Sequence, residues 1–213
     1  MTDAVVFDLD GVLIDSEPLW DEVRRGVVAS AGRDWPADAT EALQGMSTPE
    51  WSAYLTDVVG VPGSAEEVAA RVIDGMVARY RSQLPLLPGA VEAVQRLASR
   101  WPLGLASSSP RRLIDAVLDA AQLTEHFRVT ISTEEVGAGK PSPAVYNEVV
   151  RRLGASEVVA IEDSSNGLRS ASAAHLRVIA VPNANYPPQD DALALADAVV
   201  HSLDEVTTDL VAG

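Results

Sequence analysis

The chain has 213 residues, of which 47% are hydrophobic and 22% charged, a length and balance that bury a core plus a small insert and carry no signature of disorder. Its 31 acidic residues against 16 basic ones give a net charge of −15, which repels nucleic acid and anionic membrane surfaces alike. Without cysteine there is no disulfide framework, thiol nucleophile or thiolate metal site, a composition that suits the cytoplasm.

The segment from Ala4 to Phe7 is a short, continuous apolar run, which predicts a parallel strand covered on both faces. It is too short for a signal peptide, and no later run reaches the length of a membrane span. Residues 15–83 break the pattern with several helix-like segments and no strand signal. They are expected to form a helical cap domain inserted after the first strand and closed by the Pro85-Leu86-Leu87-Pro88-Gly89 turn, leaving residues 1–14 and 84–213 as the core domain. From Leu87 onward, helical patterns at 90–100, 111–121 and 143–153 alternate with apolar runs at 102–106, 129–131, 158–161 and 177–181, and a weaker one at 198–200. This alternation predicts an α/β fold with a doubly wound parallel, Rossmann-like sheet, whose site lies at the carboxyl ends of the strands.

Four polar clusters fall at those ends. Asp8 and Asp10, in Asp8-Leu9-Asp10-Gly11, place two carboxylates on one side of the first strand's end, where their repulsion calls for a cation such as Mg2+. Ser107 and Ser108, in Leu105-Ala106-Ser107-Ser108-Ser109-Pro110, sit where a helix begins, and free amides with hydroxyls there suit a phosphate. Lys140 is the sole lysine among the 16 basic residues, and it precedes a proline-rich helix start. Read as an exposed point charge at the phosphate, it should be removable without unfolding the chain. Glu162 and Asp163 follow the apolar run at 158–161 and complete an acidic shell from the other side. Each cluster alone has a plain explanation as a turn, a helix cap or a solvated loop; four in one sheet do not.

In order and spacing these clusters resemble the haloacid dehalogenase-like hydrolase superfamily, over essentially the whole chain. The insert opening with Asp15-Ser16-Glu17-Pro18-Leu19-Trp20 is similar to the cap of the beta-phosphoglucomutase and sugar-phosphatase subgroup, and most like bacterial hexitol and 2-deoxyglucose-6-phosphate phosphatases. The resemblance implies Asp8 as nucleophile and metal ligand, Asp10 as general acid and base with its carbonyl on the metal, and Ser107 and Ser108 on the phosphate. It also implies Lys140 as the neutralising cation and Glu162 with Asp163 as further metal ligands. Glu17, Trp20, Gln44, Ser47 and Thr48 are the implied specificity residues of the cap. The expected activity is Mg2+-dependent hydrolysis of a small phosphorylated metabolite, a sugar or sugar-alcohol phosphate, through an aspartyl phosphate. Two alternatives stand beside it: a beta-phosphoglucomutase-like mutase and a non-catalytic binding protein that keeps the fold. Against the mutase, Trp20 and Thr48 stand where its pattern has a histidine and a phosphate-binding arginine, and the insert is net acidic without lysine or histidine. Against the binding protein, every acidic residue and the lysine are present. The oligomeric state stays open, a monomer being compatible.

Overall fold

The computed structural model describes residues 2–43, 46–183 and 187–213, the side chain of residue 41 excepted. The chain divides into two compact units, Met1–Asp15 with Pro85–Gly213 and, between them in sequence, Ser16–Leu84. The crossings fall one residue later than the sequence reading placed them.

The first unit is built on six strands, β1 (Ala4–Phe7), β2 (Leu103–Ser107), β3 (Phe127–Ser132), β4 (Val158–Glu162), β5 (Arg177–Ala180) and β6 (Ala198–Val199). They form one sheet in the order β3-β2-β1-β4-β5-β6, with every pairing parallel. β1, β2 and β4 are buried along their whole length, which is why they read as unbroken apolar runs. The doubly wound α/β fold expected from the sequence is present, and β1 lies where the order reverses, with Phe7 paired to Leu105 on one side and Ile161 on the other.

Around this sheet run α5 (Ala90–Ala98), α6 (Arg111–Ala120), α7 (Thr133–Val136), α8 (Ala144–Leu153), α9 (Ser165–Ala173), α10 (Asp190–Leu193) and α11 (Thr208–Ala212). α8 shows the logic: Val145, Tyr146, Val149 and Leu153 recur at helical spacing, are buried, and pack with Val6, Ala106 and Ala160 of the sheet. Gly154 at positive φ and then the strand at 158 end it.

The second unit is helical, with α1 (Glu17–Ser30), α2 (Ala39–Ala42), α3 (Thr48–Ala53) running into a π-helical turn at Tyr54–Val58, and α4 (Ala65–Ser82). α4 starts on Ser64, whose hydroxyl accepts from the Glu67 amide while the Glu67 carboxylate accepts from the Ser64 amide. It packs against both α1 and α3 through Val68, Val72, Met76 and Tyr80. Among the described residues no helix is long and apolar enough to cross a membrane.

Candidate active site

Asp8 is the first residue past β1, and it is buried, 6% exposed. Its Oδ1 accepts a hydrogen bond from Lys140 Nζ at 2.8 Å. The same ammonium donates to Glu162 Oε1 at 2.6 Å and to the Ala106 carbonyl at 3.0 Å, so its three protons meet three acceptors from three strand ends. The Lys140 side chain is only 5% exposed, which overturns its reading as an exposed charge. Glu162 ends β4, is fully buried, and accepts a second bond from the Tyr146 hydroxyl at 2.6 Å. Asp163, next along, completes the group: Asp8, Glu162 and Asp163 each offer a carboxylate oxygen, and the three lie within 4.8 Å of one another.

Three buried carboxylates around one ammonium leave an excess of negative charge, and the ionisation of the site records it. Burial, and then the charge of Glu162, push Asp8 up to about 8, with Lys140 pulling back and Asp10 adding to the rise. Burial, Asp8 and Glu162 likewise hold Asp163 well above the usual carboxylate range. Burial alone would depress Lys140; the charges of Asp8 and Glu162 prevail and raise it, so it stays an ammonium. Asp163 Oδ1 is buried without a hydrogen-bond partner among the described residues. An orphaned carboxylate oxygen within a cluster of hard oxygen donors fits a small divalent cation, which would supply the missing positive charge.

Two glycines make room for this cluster. Gly11 has φ +81°, and a Cβ there would lie 1.9 Å from Asp163 Oδ2. At Gly167 in α9 a Cβ would lie 1.9 Å from Glu162 Oε2.

Beside the acidic cluster, hydroxyls converge on Asp10. Ser107, the last residue of β2, is fully buried with its Oγ 3.4 Å from Asp10 Oδ2. Ser109 donates to the same oxygen at 2.7 Å, while its amide donates to Ser107 Oγ at 2.9 Å. Ser132, at the end of β3, donates to the Ser109 carbonyl at 2.7 Å. Ser108 is exposed at the entrance to α6. The fold thus gathers Asp8, Asp10, Ser107, Lys140, Glu162 and Asp163 at the carboxyl ends of β1, β2 and β4 and just past β3.

The sequence reading passed over Ser109 and Tyr146. Ser109 lay inside the serine motif, but a three-serine run does not say which hydroxyl turns toward Asp10. Tyr146 falls at a core position of α8, and nothing local separates it from a packing aromatic.

Of the residues expected in the insert, Glu17 opens α1, and Trp20 is buried with its ring 5.8 Å from that of Trp51. Ser47 caps α3, its amide and hydroxyl both bonded to the Glu50 carboxylate at 2.8 and 2.6 Å, and Thr48 is the first residue of that helix. Gln44 lies outside the described residues.

Comparison with known proteins agrees with this geometry. The model of the haloacid dehalogenase-like hydrolase family matches residues 2–175. The chain belongs to that family. This hydrolase is 38% identical over 212 residues to hexitol phosphatase B of Escherichia coli K12, covering 96% of the chain and 94% of the relative. It is 33% identical over 180 residues to the phosphorylated carbohydrates phosphatase of Thermotoga maritima, covering 83% of each. Among solved structures, CbbY from Rhodobacter sphaeroides in complex with phosphate superposes with a TM-score of 0.87 at 27% identity, over the full length of both chains.

Proposed function

We propose that this hydrolase is a Mg2+-dependent phosphatase of sugar or sugar-alcohol monophosphates that works through an aspartyl phosphate on Asp8. The observation that carries the reading is the Asp8 carboxylate, fixed by Lys140 at the end of β1 and bordered by Glu162 and Asp163. The hexitol and carbohydrate phosphatases named above support the substrate class.

In this reading an Asp8 oxygen attacks phosphorus while the bond from phosphorus to the sugar oxygen breaks, and Asp10 gives its proton to the departing alkoxide. Asp10 then takes a proton from water as that water attacks the aspartyl phosphate, releasing inorganic phosphate and restoring Asp8. Ser107 and the Ser108 amide hold the phosphoryl oxygens, and Lys140 offsets charge on both reactants. Asp8, Asp163, Glu162 and the Asp10 carbonyl would hold the Mg2+, which supplies charge neutralisation at the phosphoryl group. The helical second unit serves as the cap, with Glu17, Trp20, Gln44, Ser47 and Thr48 as its specificity residues.

The test is phosphate release across sugar, polyol and nucleotide monophosphates, with and without Mg2+. Sugar or polyol phosphates should lead, and EDTA or Asp8→Asn should abolish turnover. Full activity after metal stripping, or in that variant, would refute the mechanism. If beta-glucose 1-phosphate is instead converted to glucose 6-phosphate faster than phosphate appears, the protein is a mutase.

A further inference from the structure

Tyr146 is the one polar residue among the four that α8 buries; the others are Val145, Val149 and Leu153. It is fully buried, and it meets the charged cluster twice. Its hydroxyl donates to Glu162 Oε1 at 2.6 Å, the length of a charge-assisted bond. Its ring centre lies 5.1 Å from Lys140 Nζ, the cation that donates to the same Oε1. A phenylalanine would fill this core position with no hydroxyl to desolvate, so packing alone does not account for the phenol.

The way Lys140 is shared gives the phenol a task. The ammonium donates to Asp8 Oδ1 at 2.8 Å and to Glu162 Oε1 at 2.6 Å, so two buried carboxylates compete for one cation. Glu162 has further donors: the Tyr146 hydroxyl on Oε1, and the Asp163 amide on Oε2 at 3.2 Å. The phenol answers part of the Glu162 charge and fixes the direction in which Oε1 faces. Without the hydroxyl, Lys140 would be the sole side-chain donor to Oε1 among the described residues, and the ammonium would be drawn away from Asp8 toward Glu162. The ring face is a second restraint on the same Nζ.

We infer that Tyr146 is a positioning residue: through its hydrogen bond to Glu162 and its ring face it keeps the Lys140 ammonium shared with Asp8, where the reaction uses it. This rests on the reading of Asp8 as nucleophile and adds to it a buried side chain that acts through Lys140 without touching substrate.

Lys140 is the sole lysine of the chain, so protein grown on isotope-labelled lysine gives a single side-chain ammonium resonance, which reports on this contact with no substrate present. In the wild type its protons should exchange slowly with water and show a nuclear Overhauser contact to a tyrosine ring. Tyr146→Phe keeps the ring and removes only the hydroxyl. It should speed the exchange about tenfold or more and lower kcat on a hexitol phosphate about tenfold, the size of one hydrogen bond to a charged group. KM should stay within about threefold, because Ser107 and Ser108, which hold the phosphate in this reading, are untouched. Exchange and kcat both within about twofold of wild type overturn the inference and make Tyr146 a packing residue. A change in one without the other, or a loss carried by KM alone, overturns it as well. If Tyr146→Phe does not fold, the wild type decides: slow exchange with the ring contact supports the inference, and fast exchange without it overturns the inference. Wild-type protein inactive on every phosphate ester overturns the phosphatase reading, and the exchange rate in Tyr146→Phe then decides by itself whether Tyr146 holds Lys140.

Discussion

Lys140 meets Asp8, Glu162 and the Ala106 carbonyl at once, and that sets what its loss would do. Lys140→Ala would leave two buried carboxylates facing each other with no cation between them. Removing one partner of a buried ion pair typically costs about 3–5 kcal/mol. Protonation of Asp8, already raised to about 8, relieves part of this. We expect a loss of stability of about 3 kcal/mol in urea unfolding, together with a fall in phosphate release of about 10²–10³-fold, the range seen when a preorganised charge-stabilising donor is removed. A variant of unchanged stability would mean that the ammonium is not held as described. The identity of this lysine was legible because it is the sole one in the chain. Its burial was not, since that depends on β1, β2 and β4 converging around a loop distant in sequence. Ser109 escaped notice for the same reason: its partner, Asp10, lies 99 positions away.

At the level of elements, the strand starts and ends predicted from apolar runs fall within two residues of those observed, because buried parallel strands have few polar positions to blur them. The helices of the second unit were legible as helical but not as individual elements. Its π-helical turn at Tyr54–Val58 continues α3 without a break in composition, so no turn signal marks it. Two helical glycines give this level its prediction, with opposite signs. In α1, a Cβ at Gly26 would meet nothing within 4 Å, so Gly26→Ala should stabilise by about 0.5–1 kcal/mol through helix propensity. In α9, a Cβ at Gly167 would collide with the Glu162 carboxylate, which holds Lys140 and Tyr146. Gly167→Ala should therefore destabilise by about 1–3 kcal/mol despite the same propensity gain, and should raise the Mg2+ concentration needed for half-maximal activity. Thermal melts of the two variants side by side decide the point: a stabilised Gly167→Ala would show that Glu162 is free to move aside.

Over the whole molecule the net charge of −15 is spread widely, but the unfavourable part of it is concentrated where Asp8 and Asp163 are buried. Both carboxylates have folded-state pKa values raised above 3.8, Asp8 to about 8. Between 3.8 and about 8 the folded metal-free protein holds a proton on Asp8 that the unfolded chain has lost, so Asp8 makes stability fall as pH rises through that window, and Asp163 acts in the same direction. Below 3.8 both states are protonated and the penalty is absent; above about 8 the part due to Asp8 is fully present. A divalent cation held by the same oxygens competes with those protons and stabilises most where the carboxylates must be charged. We expect 5 mM Mg2+, a concentration chosen to be about 10–100 times a typical Kd, to raise Tm by about 3–6 °C at pH 8.5 and by less than about 1 °C at pH 5. The diffuse surface charge would respond to any salt, so the control is NaCl at equal ionic strength, which should reproduce little of the shift. Asp163→Asn should remove most of the Mg2+ increment at pH 8.5, because one of the three clustered carboxylates is gone. An Mg2+ increment equal at the two pH values, or one that survives Asp163→Asn, would show that the ion acts on the surface and not at Asp8, Glu162 and Asp163.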